Sequence, residues 1–344
     1  MDQKEIVFIV GAGASRELGF PTGEELKAQI VSELEIVTEQ SEESIIYNTI
    51  VNNLNFAEVV YRLEDYLYKA SEIKYFLPFA SSIDNYIYTH RDDKITQYIA
   101  KLSICHCIIN AERSSKLYSE LGSPLLPSNQ LKDTWLIPFS QLLTEKCDKN
   151  EIKARLQKIG FIIFNYDRSV EFFLYNFIQG YFGFSDRDTF DCLTELNIVH
   201  PYGTLGPIGW QNDSDFQAYG VLMHENDLHR RYNNIITFNE DIDSQNNLLL
   251  ETQKLATNTR RVVFLGFGYH EQNIRIMHDL EDISNTNFVM IYGTTYKESK
   301  FNIDYIRNRI TKVFPNGNIH SLESESCFDF LKNHRLALST TGWI

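Results

Sequence analysis

No two cysteines in this chain of 344 residues are spaced as C-x-x-C, and the five present (Cys105, Cys107, Cys147, Cys192 and Cys327) are scattered. An odd, unpaired set excludes a disulfide framework, and the missing pairs exclude a four-cysteine zinc ribbon. Cys105-His106-Cys107 looks metal-like, but it sits in a helical pattern where neighbours i and i+2 diverge, so it is read as ordinary helix. No apolar run approaches the ~18–20 residues that span a membrane, and no basic segment followed by an apolar core opens the chain. Cationic charge is scarce: 32 Lys and Arg against 46 Asp and Glu give a net charge of −14. A broad basic face for duplex DNA is excluded on that balance, and direct nucleic-acid binding is not expected. The expectation is a cytoplasmic, metal-free globular protein, since 43% hydrophobic and 23% charged residues over this length supply a full core and about two domains.

What is present is an alternation of strands and helices. Ile6-Val7-Phe8-Ile9-Val10 is a continuous apolar run, as in a strand buried on both faces of a parallel sheet, and it enters Gly11-Ala12-Gly13-Ala14-Ser15. Residues ~25–155 read as helical, apart from a loop over Gly122–Gln130. After residue 160 strands are expected at Phe161–Phe164, Ile198–His200, Val262–Gly266, Phe288–Tyr292 and Asn318–His320. Helices are expected at Ser169–Ile178, Asp243–Ala256, Gln272–Leu280, Glu298–Arg309 and Cys327–Asn333. The alternation predicts an α/β fold, a Rossmann-like doubly wound parallel sheet with a large helical insertion. The sheet domain is assigned to 1–30 and 155–344 and the helical subdomain to 31–154.

Ligands of such sheets bind at the carboxyl ends of the strands. Three turns there carry chemistry. Gly11-Ala12-Gly13 lets backbone approach a diphosphate at a helix start, although Arg16 stands where a third glycine would complete the dinucleotide fingerprint. Asn165 and Asp167 follow the second strand; an amide can orient water and a carboxylate can accept from a carboxamide, while an Asx turn capping the next helix is the plain alternative. His200 follows the third strand, where an imidazole can meet a ribose hydroxyl or take up a proton. Gly266-Phe267-Gly268 and Gly293-Thr294 form two more strand-to-turn junctions, each also explicable as a simple βα turn.

In order and spacing, Gly11-Ala12-Gly13-Ala14-Ser15, Asn165-Tyr166-Asp167, His200 ahead of Gly203, and Gly266-Phe267-Gly268 resemble the SIR2-like superfamily. Ser82-Ile83-Asp84-Asn85-Tyr86, followed by Lys101 and Glu112, resembles the helical insertion of its bacterial antiphage-defence members, which degrade NAD+. The resemblance implies a catalytic pair, Asn165 for water and ribose and His200 at the ribose. It implies NAD+ contacts at Gly11, Ala12, Gly13 and Ser15 for the diphosphate, Asp167 for the nicotinamide carboxamide, and Gly266, Gly268, Gly293 and Thr294 along the nucleotide. The zinc-binding cysteine pairs of sirtuin deacylases are missing, and Pro201 and Tyr202 separate His200 from Gly203.

The expected function is therefore NAD+ glycohydrolysis to ADP-ribose and nicotinamide, with NAD+ as substrate and no metal. By resemblance the enzyme is a gated effector of abortive infection, homo-oligomeric, with a partner such as a HerA-like ATPase or a short Argonaute. Two alternatives stay open: a non-catalytic module that binds NAD+ or ADP-ribose, and an NAD-dependent protein deacylase. A redox dehydrogenase is disfavoured, because no acidic residue is placed at the end of a second strand soon after the glycine loop.

Overall fold

The computed structural model of the protein describes residues 3–54, 56–119, 126–211, 215–236, 242–277 and 288–339. Within them lies one six-stranded, all-parallel sheet: β1 (Ile6–Val10), β2 (Ile159–Ile163), β3 (Asn197–Val199), β4 (Arg261–Leu265), β5 (Met290–Thr294) and β6 (Asn318–Glu323), in the order β3-β2-β1-β4-β5-β6. The chain is a doubly wound α/β fold. All five expected strands after residue 160 are present, shifted by up to three residues at their ends.

Among the described residues, nine α-helices separate β1 from β2: α1 (Ala12–Arg16), α2 (Gly23–Thr38), α3 (Ile45–Asn52), α4 (Phe56–Phe76), α5 (Ile83–Thr89), α6 (Lys94–Ser114), α7 (Ser128–Leu131), α8 (Leu136–Thr144) and α9 (Ile152–Gln157). The helices α10 (Ser169–Phe182) and α11 (Asp186–Leu193) lead to β3. Then α12 (Glu225–Arg231) and α13 (Ile242–Thr257) precede β4, α14 (Glu271–Ile276) and α15 (Lys300–Val313) flank β5, and α16 (Cys327–Asn333) follows β6. The expected helix over Gln272–Leu280 thus runs as α14, and residues 278–280 lie outside the described residues. Of the loop expected at Gly122–Gln130, residues 122–125 also lie outside the described residues, and Ser128–Gln130 are helical, forming the start of α7. Cys105, His106 and Cys107 all lie in α6, where the two thiols are buried and His106 meets Glu33.

The apolar run of β1 is buried throughout because the sheet is covered on both sides. Side chains alternate across a strand, so Val7 and Ile9 join one core cluster and Ile6, Phe8 and Val10 the other. The first cluster takes in α2, α3, α5 and α6, the second α8, α10 and α16. The long insertion therefore shares its core with the sheet, and its helices reach both faces. Each fully buried aliphatic side chain contributes roughly 1.5–3 kcal/mol, which makes the five residues of β1 a strong anchor.

Candidate functional site

The strand order reverses direction between β1 and β4, the switch point where open α/β sheets bind ligands. Here the tips of the two strands touch through glycine. The Gly13 amide donates to the Gly266 carbonyl at 2.9 Å and the Gly11 amide to the Leu265 carbonyl at 2.9 Å. A β-carbon on Gly11 would lie 2.5 Å from the Gly266 oxygen, and one on Gly266, whose φ is +57°, would lie 2.1 Å from the Ala14 nitrogen. The glycines of both turns are thus required by backbone contact. Because the Gly13 and Ala14 amides are already bonded within the turns, the phosphate cradle expected there has fewer free donors than its sequence suggests.

A cleft of about 600 Å³ opens over this junction. Its floor is Gly11–Gly13 and Gly266–Gly268; the tip of β2 contributes Phe164 and Asn165, and Tyr202 comes from the loop after β3. Ser82, Asp84 and Asn85 reach it from the insertion, and His270 to Asn273 from the start of α14. Ser82 is placed by its role as N-cap of α5, accepting from the Asn85 amide at 3.0 Å. Thr22 caps α2 in a reciprocal box with Glu25, whose carboxyl is held down to about 2 by its bond with Arg16 and the Thr22 amide. Among the described residues lining the cleft there is no Lys or Arg, whereas Glu24, Asp84 and Glu271 are acidic. Tyr166 donates its hydroxyl to Asp84; burial nevertheless pushes the Asp84 carboxyl above its ordinary range.

Behind the wall, the β2 turn is tied down by a polar chain. Asn165 Nδ2 donates to Ser15 Oγ at 2.7 Å, and Ser15 Oγ donates to Asp167 Oδ2 at 2.7 Å. The other carboxylate oxygen of Asp167 accepts from the amide of Ser169, at 3.1 Å, and from its hydroxyl. Asp167 therefore forms an Asx turn leading into α10, whose N-cap is Arg168, as well as accepting from Ser15. It is buried, and burial pushes its carboxyl up against the lowering effect of these bonds.

His200 is also behind the wall. Its Nδ1 lies 3.1 Å from the Asn165 carbonyl oxygen and its Nε2 2.8 Å from Glu171 Oε1. A carbonyl only accepts, so Nδ1 carries a hydrogen, and one further proton is shared between Nε2 and Glu171. No lone pair is left for a ribose hydroxyl in this arrangement. Burial works against the charged ring, but Glu171, the Asn165 carbonyl and Asp167 outweigh it, and the pKa lies above its ordinary value. Glu171 was not singled out from the sequence. Its signal was there: a lone carboxylate in the otherwise apolar start of α10, Ser169-Val170-Glu171-Phe172-Phe173.

Compared with family models, curated proteins and solved structures, the chain matches none. The site is therefore read from its own geometry. The structure brings Gly11, Ala12, Gly13, Asn165, Gly266 and Gly268 onto one cleft. Buried Ser15 and Asp167, with the largely covered His200, support it from behind. Gly293 and Thr294 are buried beneath it, Thr294 Oγ1 accepting from the Gly266 amide at 2.8 Å. Sequence reading missed Phe164, Tyr202, Asn273 and Glu171. Tyr202 and Asn273 are 71 residues apart and meet through a 2.7 Å hydrogen bond.

One more support belongs to this turn. Arg168, next to Asp167, is fully buried and forms a two-pronged pair with Glu112 of α6, Nε to Oε1 at 2.9 Å and Nη2 to Oε2 at 2.6 Å. Its Nη1 donates to the carbonyls of Gly206 and Gln217, and Glu112 also accepts from the Gly220 amide. The pair joins the Asn165 turn, the insertion and the loop after β3. Among the described residues no group of three or more His, Cys, Asp or Glu is placed to hold a metal ion, and no helix is long and apolar enough to cross a membrane.

Proposed function

We propose that this protein hydrolyses the bond between nicotinamide and ribose in NAD+, releasing ADP-ribose, nicotinamide and a proton. The observation that carries the reading is Asn165: its amide stands on the wall of a nucleotide-sized cleft at the switch point, fixed by Ser15 and Asp167. Cleavage of this bond builds positive charge on the ribose, as in glycoside hydrolysis. Nicotinamide leaves as a neutral molecule and needs no acid. The protein's work is to hold the ribose, place one water and favour the cationic ribose. Asn165 orients the water. Asp84 supplies a carboxylate to a cleft with no Lys or Arg among the described residues that line it, which suits a developing cation. His200 acts through Asn165, whose carbonyl it grips, with Glu171 holding the ring.

Unchecked activity of this kind would drain the host of NAD+. The reading therefore includes a gate, supplied by homo-oligomer contacts or by a partner such as a HerA-like ATPase or a short Argonaute, in defence against phage. The test is to incubate the purified protein with NAD+, without peptide, and follow nicotinamide and ADP-ribose by chromatography. Release that Asn165→Ala loses supports the reading. No release by the wild type, alone and with candidate partners, together with tight NAD+ binding, would replace it with a non-catalytic NAD+-binding module.

A further inference from the structure

A second cavity, of about 620 Å³, lies between α14 and α15. Tyr305, Asn308, Arg309 and Lys312 recur every three or four residues and so share one face of α15; Glu271 and Arg275 face them from α14. Three cations and one carboxylate gather here on a chain whose net charge is −14. That the cations converge is visible at Glu271: Arg275, bonded to it at 2.6 Å, holds its carboxyl below the usual range, and Arg309 and Lys312 add to the effect. Buried Ile274 and Val313 give the cavity apolar surface. Tyr305 is half exposed and carries the Arg309 guanidinium 4.6 Å from its ring centre.

We propose that this cavity is a binding site for a phosphate-bearing nucleotide, separate from the cleft. Arg275 and Lys312 take the phosphates, for which guanidinium and ammonium groups are the usual partners. Tyr305 and the apolar surface take the flat ring. The site is wired to the cleft in two ways. Glu271 lines both cavities. Arg309 Nη1 donates at 2.6 Å to the carbonyl of Tyr269, a residue at φ +51° in the turn that carries Gly266–Gly268. An anion that draws Arg275 from Glu271, or Arg309 from Tyr269, acts directly on the cleft wall. That regulatory consequence rests on the NADase reading; the binding site does not.

The test is isothermal titration of the full chain with ADP, with pyrophosphate and with adenosine. ADP and pyrophosphate are expected to bind, and adenosine to bind more weakly. Arg275→Glu/Lys312→Glu should weaken both anions about tenfold or more, since each reversal replaces an attraction by a repulsion; Arg275→Gln/Lys312→Gln should fall between. Both side chains are exposed, so circular dichroism should stay unchanged. Absence of anion binding at millimolar concentration, or undiminished binding by the double variants, would each overturn the proposal, because Arg275 and Lys312 line this cavity and not the cleft. Failure to release nicotinamide with these titrations intact would sink the enzymatic reading alone.

Discussion

The tips of β1 and β2 lie side by side at one edge of the sheet, with the Phe164 amide donating to the Val10 carbonyl at 2.9 Å, yet they are built from opposite materials. The β1 tip is glycine against glycine, and its content is shape: main chains in contact, with no room for a β-carbon. The β2 tip, Asn165-Tyr166-Asp167-Arg168, is all side chain, and each of its four residues is bonded to a distant segment. The first can be disrupted only by adding atoms, the second by removing them. A substitution at β1 should therefore attack the fold, whereas one at β2 can separate stability from chemistry.

The largest effect is expected at the β1–β4 contact. Gly266→Val places a branched side chain at positive φ and against the Ala14 nitrogen. The loss should exceed about 4 kcal/mol, read as failure to give soluble protein or a collapsed thermal transition. A variant that melts like the wild type would show that the two turns are not locked together.

Next comes the buried pair behind the β2 tip. Arg168→Met removes the cation paired with buried Glu112, leaving it the Gly220 amide as partner, and should cost about 3–5 kcal/mol in chemical denaturation. Adding Glu112→Met should recover part of that loss. Equal or greater damage in the double variant would mean that the bonds to Gly206, Gln217 and Gly220 matter more than the charge.

A smaller, pH-dependent effect belongs to His200. Its pKa is raised in the folded protein, so its contribution is fully present below the ordinary value near 6.5 and is lost as pH rises through the folded value. Asp84 and Asp167, also raised, hold their protons longer in the folded chain than in the unfolded one. They cost stability as pH rises from their ordinary value of 3.8. Denaturation of wild type and His200→Gln across pH 5 to 9 isolates the imidazole: the curves should converge at high pH. Parallel curves would refute the charged pair with Glu171.

The smallest change in stability, and the largest in chemistry, is expected for Asn165→Ala. One hydrogen bond to Ser15 is lost, worth about 1 kcal/mol, while nicotinamide release should fall by about 100-fold or more. Turnover near the wild-type rate would remove Asn165 from the proposed mechanism.

The sheet was readable because its strands are short apolar runs ending in glycine or Asx turns, a local pattern that burial on both faces imposes. Ile6–Val10 and Cys327–Asn333 were placed to the residue. Strand ends elsewhere moved, because they depend on register with neighbours rather than on their own residues. The site was half readable. Asn165, the glycine turns and His200 announce themselves by residue type at strand ends, and all gather at one edge.

What the residues could not announce was direction. The sequence by itself determined the alternation of elements, the two-sided burial of β1 and the edge at which polar residues collect, since these follow from period and turn chemistry over a few neighbours. Only the tertiary structure decided that Gly13's amide is spent on Gly266, that His200 faces Glu171 and the back of Asn165, and that Arg168 reaches Glu112 across 56 residues. Those are contacts between segments far apart in the chain, and their geometry is set by how the helices pack on the sheet, which no local pattern encodes.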